Sequence, residues 1–102
     1  MTEESLTICA IFRVPAAGRA AFDAYETAVL TLLADYGGML ERRLLTPDGA
    51  TEIHLIRFPS DTAFDAYRAD ARREALSWVF VESGATAEVL TVRDAIVQPD
   101  GA

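Results

Sequence analysis

One histidine, two arginines at matching strand ends and two matching tyrosines are the side chains best suited to chemistry in this chain. His54 is the only histidine. Its imidazole could act as a general base or a haem ligand if it faced a ligand cleft. Arg13 and Arg57 close the apolar runs Ile11-Phe12-Arg13-Val14-Pro15 and Leu55-Ile56-Arg57-Phe58-Pro59. A guanidinium at either place could hold a carboxylate or enolate oxygen at the mouth of a cleft, with two parallel hydrogen bonds. The competing reading is an exposed ion pair within the sheet, Arg57 with Glu41 and Arg13 with Glu88, worth only ~0–1 kcal/mol. Tyr25 and Tyr67 read as helix-to-sheet core with a hydroxyl at the rim.

Several chemistries find no support. A metal site needs converging His, Cys or carboxylate ligands, and the chain offers one His and one Cys. No glycine-rich phosphate loop is present, and no Ser–His–Asp pattern that a single histidine could anchor. Cys9 lies in an apolar strand and reads as a buried structural thiol. No cofactor is expected. The net charge of −7, from 16 acidic and 9 basic residues, repels a phosphate backbone and an anionic membrane surface. No apolar run approaches the ~20 residues of a membrane helix, and the N-terminus does not read as a signal peptide. A soluble cytoplasmic protein is the expectation.

The elements that must position these residues follow from a repeat. Ala21-Phe22-Asp23-Ala24-Tyr25 recurs as Ala63-Phe64-Asp65-Ala66-Tyr67, each after an apolar run ending in Arg-x-Pro. The chain is two versions of one strand–turn–helix unit. Alternation predicts strands over Leu6 to Val14, Met39 to Thr46, Thr51 to Phe58 and Glu88 to Val97. Pro47-Asp48-Gly49 joins the middle two as a hairpin. Helical periodicity predicts one helix from Arg19 to Tyr36, ended by Gly37-Gly38. A second runs from about Thr62 to about Ser83, capped by Ser60-Asp61-Thr62. Its inner side is expected to carry Phe64, Tyr67, Ala71, Ala75 and Trp78 or Val79.

The order β-α-β-β-α-β predicts an α+β, ferredoxin-like sandwich: a four-stranded antiparallel sheet, strand order 4-1-3-2, with both helices on one face. A single domain spans residues 1–97, with 98–102 as a tail. Cys9, Ile11, Ile53 and Leu55 fall on the helix-free face, where water would meet them in a monomer. Burying such side chains is worth several kcal/mol at roughly 25 cal/mol per Å². A homodimer packed sheet against sheet is therefore expected. Trp78-Val79-Phe80-Val81 is apolar all round, which suits dimer packing or a ligand wall. The repeat equates His54 with Ala10, under the helices. The alternation of Glu52-Ile53-His54-Leu55 favours the opposite face. The repeat is the stronger guide, and a structural histidine is the expectation.

Leu33-Ala34-Asp35-Tyr36-Gly37-Gly38, the hairpin, Arg57-Phe58-Pro59-Ser60, and Ala66-Tyr67-Arg68 through Arg72-Arg73-Glu74-Ala75-Leu76 resemble a bacterial family of small dimeric α+β barrel proteins, many of unknown function. The likeness runs from about Ile8 to Ala95. The wider superfamily includes cofactor-free antibiotic-biosynthesis monooxygenases, haem-degrading enzymes, lactone isomerases and NIPSNAP-like proteins. The resemblance implies the barrel and leaves the chemistry open, because members differ in their clefts. Three readings stand. The first is a dimer that binds a small apolar, anionic molecule in a cleft between the sheet and its partner, with Arg13, Arg57 and His54 as ligand-binding candidates. The second is a cofactor-independent monooxygenase or isomerase. The third is an interaction module without a ligand.

Overall fold

A computed structural model describes residues 4–95. Four strands, β1 (Leu6–Arg13), β2 (Met39–Leu45), β3 (Thr51–Phe58) and β4 (Thr86–Val92), form one antiparallel sheet in the order β2-β3-β1-β4. Three helices, α1 (Arg19–Leu30), α2 (Asp61–Arg68) and α3 (Ala71–Ser83), cover one face. The ferredoxin-like architecture expected from the repeat is present.

Differences lie inside the helices and at the last strand. The first helix stops at Leu30, and a separate 3₁₀ turn, Leu33–Tyr36, carries the chain to Gly37 at φ 70°. Only a residue without a Cβ takes that left-handed cap freely. The second helix is two helices. It breaks at Ala69-Asp70, where the Asp70 carboxylate accepts the Arg72 N–H and caps α3. Asp70 also accepts hydrogen bonds from the Tyr36 hydroxyl and the Arg72 side chain. The break resets the helical phase, so Arg73, Leu76, Phe80 and Ser83 turn inward, and Ala71, Ala75 and Trp78 face outward. β4 runs over Thr86–Val92 rather than 88–97; residues 96 and 97 and the expected tail lie outside the described residues. Ser60 does cap α2, its hydroxyl accepting the Ala63 N–H at 3.0 Å.

The alternating pleat divides the sheet into two faces. Ile8, Ala10 and Phe12 of β1 and Glu52, His54, Ile56 and Phe58 of β3 are buried beneath the helices. Cys9, Ile11, Ile53 and Leu55 are half-buried on the helix-free face, with Cys9 opposite Leu55 and Ile11 opposite Ile53. Met39 and Leu90 extend that apolar surface and are well exposed. Among the described residues, no helix is long and apolar enough to cross a membrane.

One irregularity matters for the site. The β2–β3 register shifts between Leu40 and Arg42, so Glu41 bulges. An extra residue moves everything after it to the other face. Arg43 therefore pairs with His54 on the helix side, instead of with Ile53 on the open side.

Candidate functional site

A cavity of about 250 Å³ lies between the helices and the sheet of a single chain. Its floor is Ala10, Phe12, His54 and Ile56; Tyr25, Glu26 and Val29 of α1, Tyr67 of α2, and Arg73 and Phe80 of α3 form its roof. Ala87 and Val89 line it at the β4 edge, where both are exposed. The small Ala10 between His54 and Val89 leaves space that a larger side chain would fill. A cavity of roughly 150 Å³ admits benzene, so this one accommodates a one- or two-ring molecule.

Polar groups reach the cavity at two places. The first is a buried chain of acids around His54. Its Nε2 lies 2.5 Å from Glu52 Oε2, and its Nδ1 lies 3.6 Å from Glu26 Oε2. Glu52 and His54 are only 2% and 1% exposed, so their charges must be balanced internally. Arg19 and Arg43 supply that balance. Both donate to the Glu52 carboxylate, Arg43 Nε at 2.6 Å. Burial opposes the charge on Glu52, but hydrogen bonds from His54, Arg19 and Arg43 outweigh it and hold the carboxyl down at about 2. Burial pulls His54 below its ordinary value against the pull of Glu52. Its neutral ring therefore donates Nε2–H to Glu52 and turns the Nδ1 lone pair toward Glu26.

Glu26 sits on the buried stripe of α1 between Phe22 and Val29, 2% exposed. Burial, then the negative charge of Glu52, pushes its carboxyl up to about 7. A carboxyl poised there can give or take a proton near neutral pH. The second polar place is Arg73 between the two tyrosines. Its guanidinium carbon stands 4.6 Å from the centre of the Tyr67 ring. Burial raises both phenols against the nearby Arg73 charge, Tyr67 to about 12, so both stay protonated. The Tyr67 hydroxyl donates to the Val29 carbonyl at 3.1 Å.

The sequence candidates separate. His54 is under the helices, as the repeat requires, and faces the cavity rather than the helix-free side. Arg13 and Arg57 are exposed on that other side, at opposite ends of the sheet. Neither lines the cavity. Arg57 makes the ion pair with Glu41, at 3.2 Å. Arg13 stands opposite Thr86, and Glu88 opposite Ile11. Phe80 packs against Phe12, Phe22 and Tyr25, whereas Trp78 and Val81 point to solvent. Sequence reasoning missed Glu26, Glu52 and Arg73. Glu26 carried a signal, an acid inside an otherwise apolar helical stripe. Among the described residues, no three His, Cys, Asp or Glu side chains converge on a point that could hold a metal ion.

Comparison with solved structures shows what shares this architecture. The chain is similar to SnoaB of Streptomyces nogalater, described as a cofactor-independent oxygenase, with a TM-score of 0.72 at 16% identity over 94% of this chain and 98% of that one. A Caulobacter crescentus protein proposed to be an antibiotic biosynthesis monooxygenase gives 0.71 at 12% identity, covering 91% and 93%. Rv0793 of Mycobacterium tuberculosis gives 0.67 at 19% identity, covering 92% and 100%. These superpositions establish a shared ferredoxin-like fold. No protein-family model matches the chain, and no curated relative does.

Proposed function

We propose that the cavity binds a small, mostly apolar molecule and that Glu26, backed by His54 and Glu52, exchanges a proton with it. The observation that carries this reading is the carboxyl of Glu26 on the wall of an apolar cavity, close to a neutral imidazole that is itself fixed by an ionised carboxylate. Apolar walls with a few convergent polar groups are the usual form of a small-molecule site. A thermal-shift screen of one- and two-ring phenols and acids tests it. Binding raises the melting temperature, and Glu26→Gln alters the pH dependence of that rise. No shift with any compound at high excess overturns the reading.

The likeness to SnoaB favours a second, more specific reading: a cofactor-independent oxygenase. Glu26 would take the proton of an electron-rich phenol, and the resulting anion would reduce dioxygen directly. Oxygen uptake in the presence of such phenols, lost in Glu26→Gln, supports it.

The helix-free face supports a homodimer, as the apolar row of Cys9, Ile11, Ile53 and Leu55 requires cover. Arg13 and Arg57 would then stand at the rim of that interface, remote from the cavity of their own chain.

A further inference from the structure

Two cations line the cavity, Arg68 and Arg73, and Arg73 carries a buried N–H without an acceptor. Arg73 begins the inward stripe of α3, one turn past the break at Asp70. Its Nη1 donates to the Arg68 carbonyl at 3.2 Å, and its face covers the Tyr67 ring. Its Nε is buried and has no partner. Among the described residues, no carboxylate forms an ion pair with it. A buried N–H without an acceptor is destabilising, and that cost disappears when a ligand oxygen fills the place.

We infer that Arg73 anchors an anion in this cavity, and that the ligand is a small, planar aromatic monocarboxylate with one oxygen on the guanidinium Nε. Nη1 is engaged by the Arg68 carbonyl and the guanidinium also bonds the Tyr25 and Tyr67 hydroxyls, so Nε is the donor left without an acceptor, and a carboxylate oxygen supplies one with a charge-assisted bond. A single negative charge suits the site. A dianion would leave one charge uncompensated among Phe12, Val29 and Phe80. The other charge-bearing groups do not compete. Arg68 is exposed and lies over Phe64. Glu26 is neutral through much of the acid range, and His54 is neutral. The ring would lie on the apolar floor, and the volume leaves room for the carboxylate beyond the ring.

The inference rests on the cavity being a binding site, and the test separates the two. Benzoate and nitrobenzene have nearly the same shape, and only the first is charged. Calorimetric or NMR titration of the unaltered protein is expected to show benzoate binding at least about tenfold tighter, the return on a charge-assisted pair. Arg73→Met is expected to bring the two within about twofold of each other and to leave nitrobenzene unchanged, which also shows that the variant is folded. Arg73→Lys, with charge but no Nε–H at that place, should fall between. If nitrobenzene binds and benzoate binds no better, or if Arg73→Met leaves benzoate unaffected, the anchor is wrong and the cavity reading stands. If neither binds, both fall.

Discussion

His54 and Glu52 are joined side chain to side chain across two residues of one strand, Nε2 to Oε2, at 2.5 Å beneath the helices. Residues two apart share a face of a strand, but two buried polar neighbours are tolerated only when each is satisfied. Here Glu52 also accepts from Arg19 and Arg43, which reach it from α1 and β2. The carboxylate is the hub of a network that ties the first helix to the sheet and fixes the ring of His54.

Removing that hub should be costly. Glu52→Ala leaves a buried imidazole N–H without its acceptor and two arginines without their counter-charge. The expected loss is about 2–4 kcal/mol in urea unfolding. Glu52→Gln, which retains an acceptor, should lose less. Because the Glu52 carboxyl is held at about 2 when folded and titrates at 4.5 ordinarily, its contribution is present above pH 4.5. It fades as acid takes the protein toward pH 2, so the variants should differ least from the unaltered protein there.

Glu26 has the opposite sign. Its folded carboxyl, at about 7, stands above the ordinary 4.5. The folded chain keeps a proton that the unfolded chain releases. Its contribution is full below pH 4.5 and is lost as pH rises through about 7. The groups that set this balance are Asp23 on the same helix, Arg43 on β2, Glu52 and His54 on β3, and Arg73 on α3. Glu26→Gln should therefore match the unaltered protein near pH 4 and exceed it at pH 8, by up to about 3 kcal/mol. His54, whose folded value is lowered, makes stability fall below about its ordinary 6.5 in both proteins. Comparing melting temperatures of the two across that range isolates Glu26.

The architecture was readable because the repeat does physical work. Phe22 and Tyr25, and Phe64 and Tyr67, all end buried or half-buried against the sheet. Its register, equating Ala10 with His54, places them opposite each other on β1 and β3. Three parts of the site were hidden by local geometry that periodicity does not record. The Glu41 bulge turns Arg43 inward, a one-residue shift invisible in an alternating pattern. The break at Ala69-Asp70 rotates Arg73 and Phe80 toward the cavity, and a continuous helix would have presented Ala71, Ala75 and Trp78 instead. Glu26 lies in the apolar stripe of α1, but nothing in that helix shows that the stripe sets it against His54 and Glu52.

Gly18 marks the tightest contact between the first turn and the end of α3. A Cβ there would stand 1.7 Å from the Ser83 carbonyl oxygen. That oxygen belongs to backbone and cannot swing away, so Gly18→Ala must push the 3₁₀ turn Ala16–Gly18, which joins β1 to α1, off α3. The expected cost is at least about 2 kcal/mol. The melting temperature should fall by about 10 °C or more. Gly49→Ala, where a Cβ meets open space, strains only its positive φ. It should cost less than Gly18→Ala.

Ile53 tests what covers the helix-free face. It sits at the centre of that face, opposite Ile11 on β1 and Leu44 on β2. In a two-fold pairing of copies, each interface holds two such residues, so one substitution acts twice. Ile53→Asp removes apolar contact worth about 1–2 kcal/mol per copy and places charges that a closed interface must desolvate. Light scattering should show the unaltered protein as a dimer at micromolar concentration. Its dissociation constant should rise by at least about a hundredfold in the variant. Circular dichroism should be unchanged, because the helices pack on the other side of the sheet. A monomeric unaltered protein, stable with Ile11, Ile53 and Leu55 wet, would leave this face without a partner and would leave the cavity beneath the helices untouched.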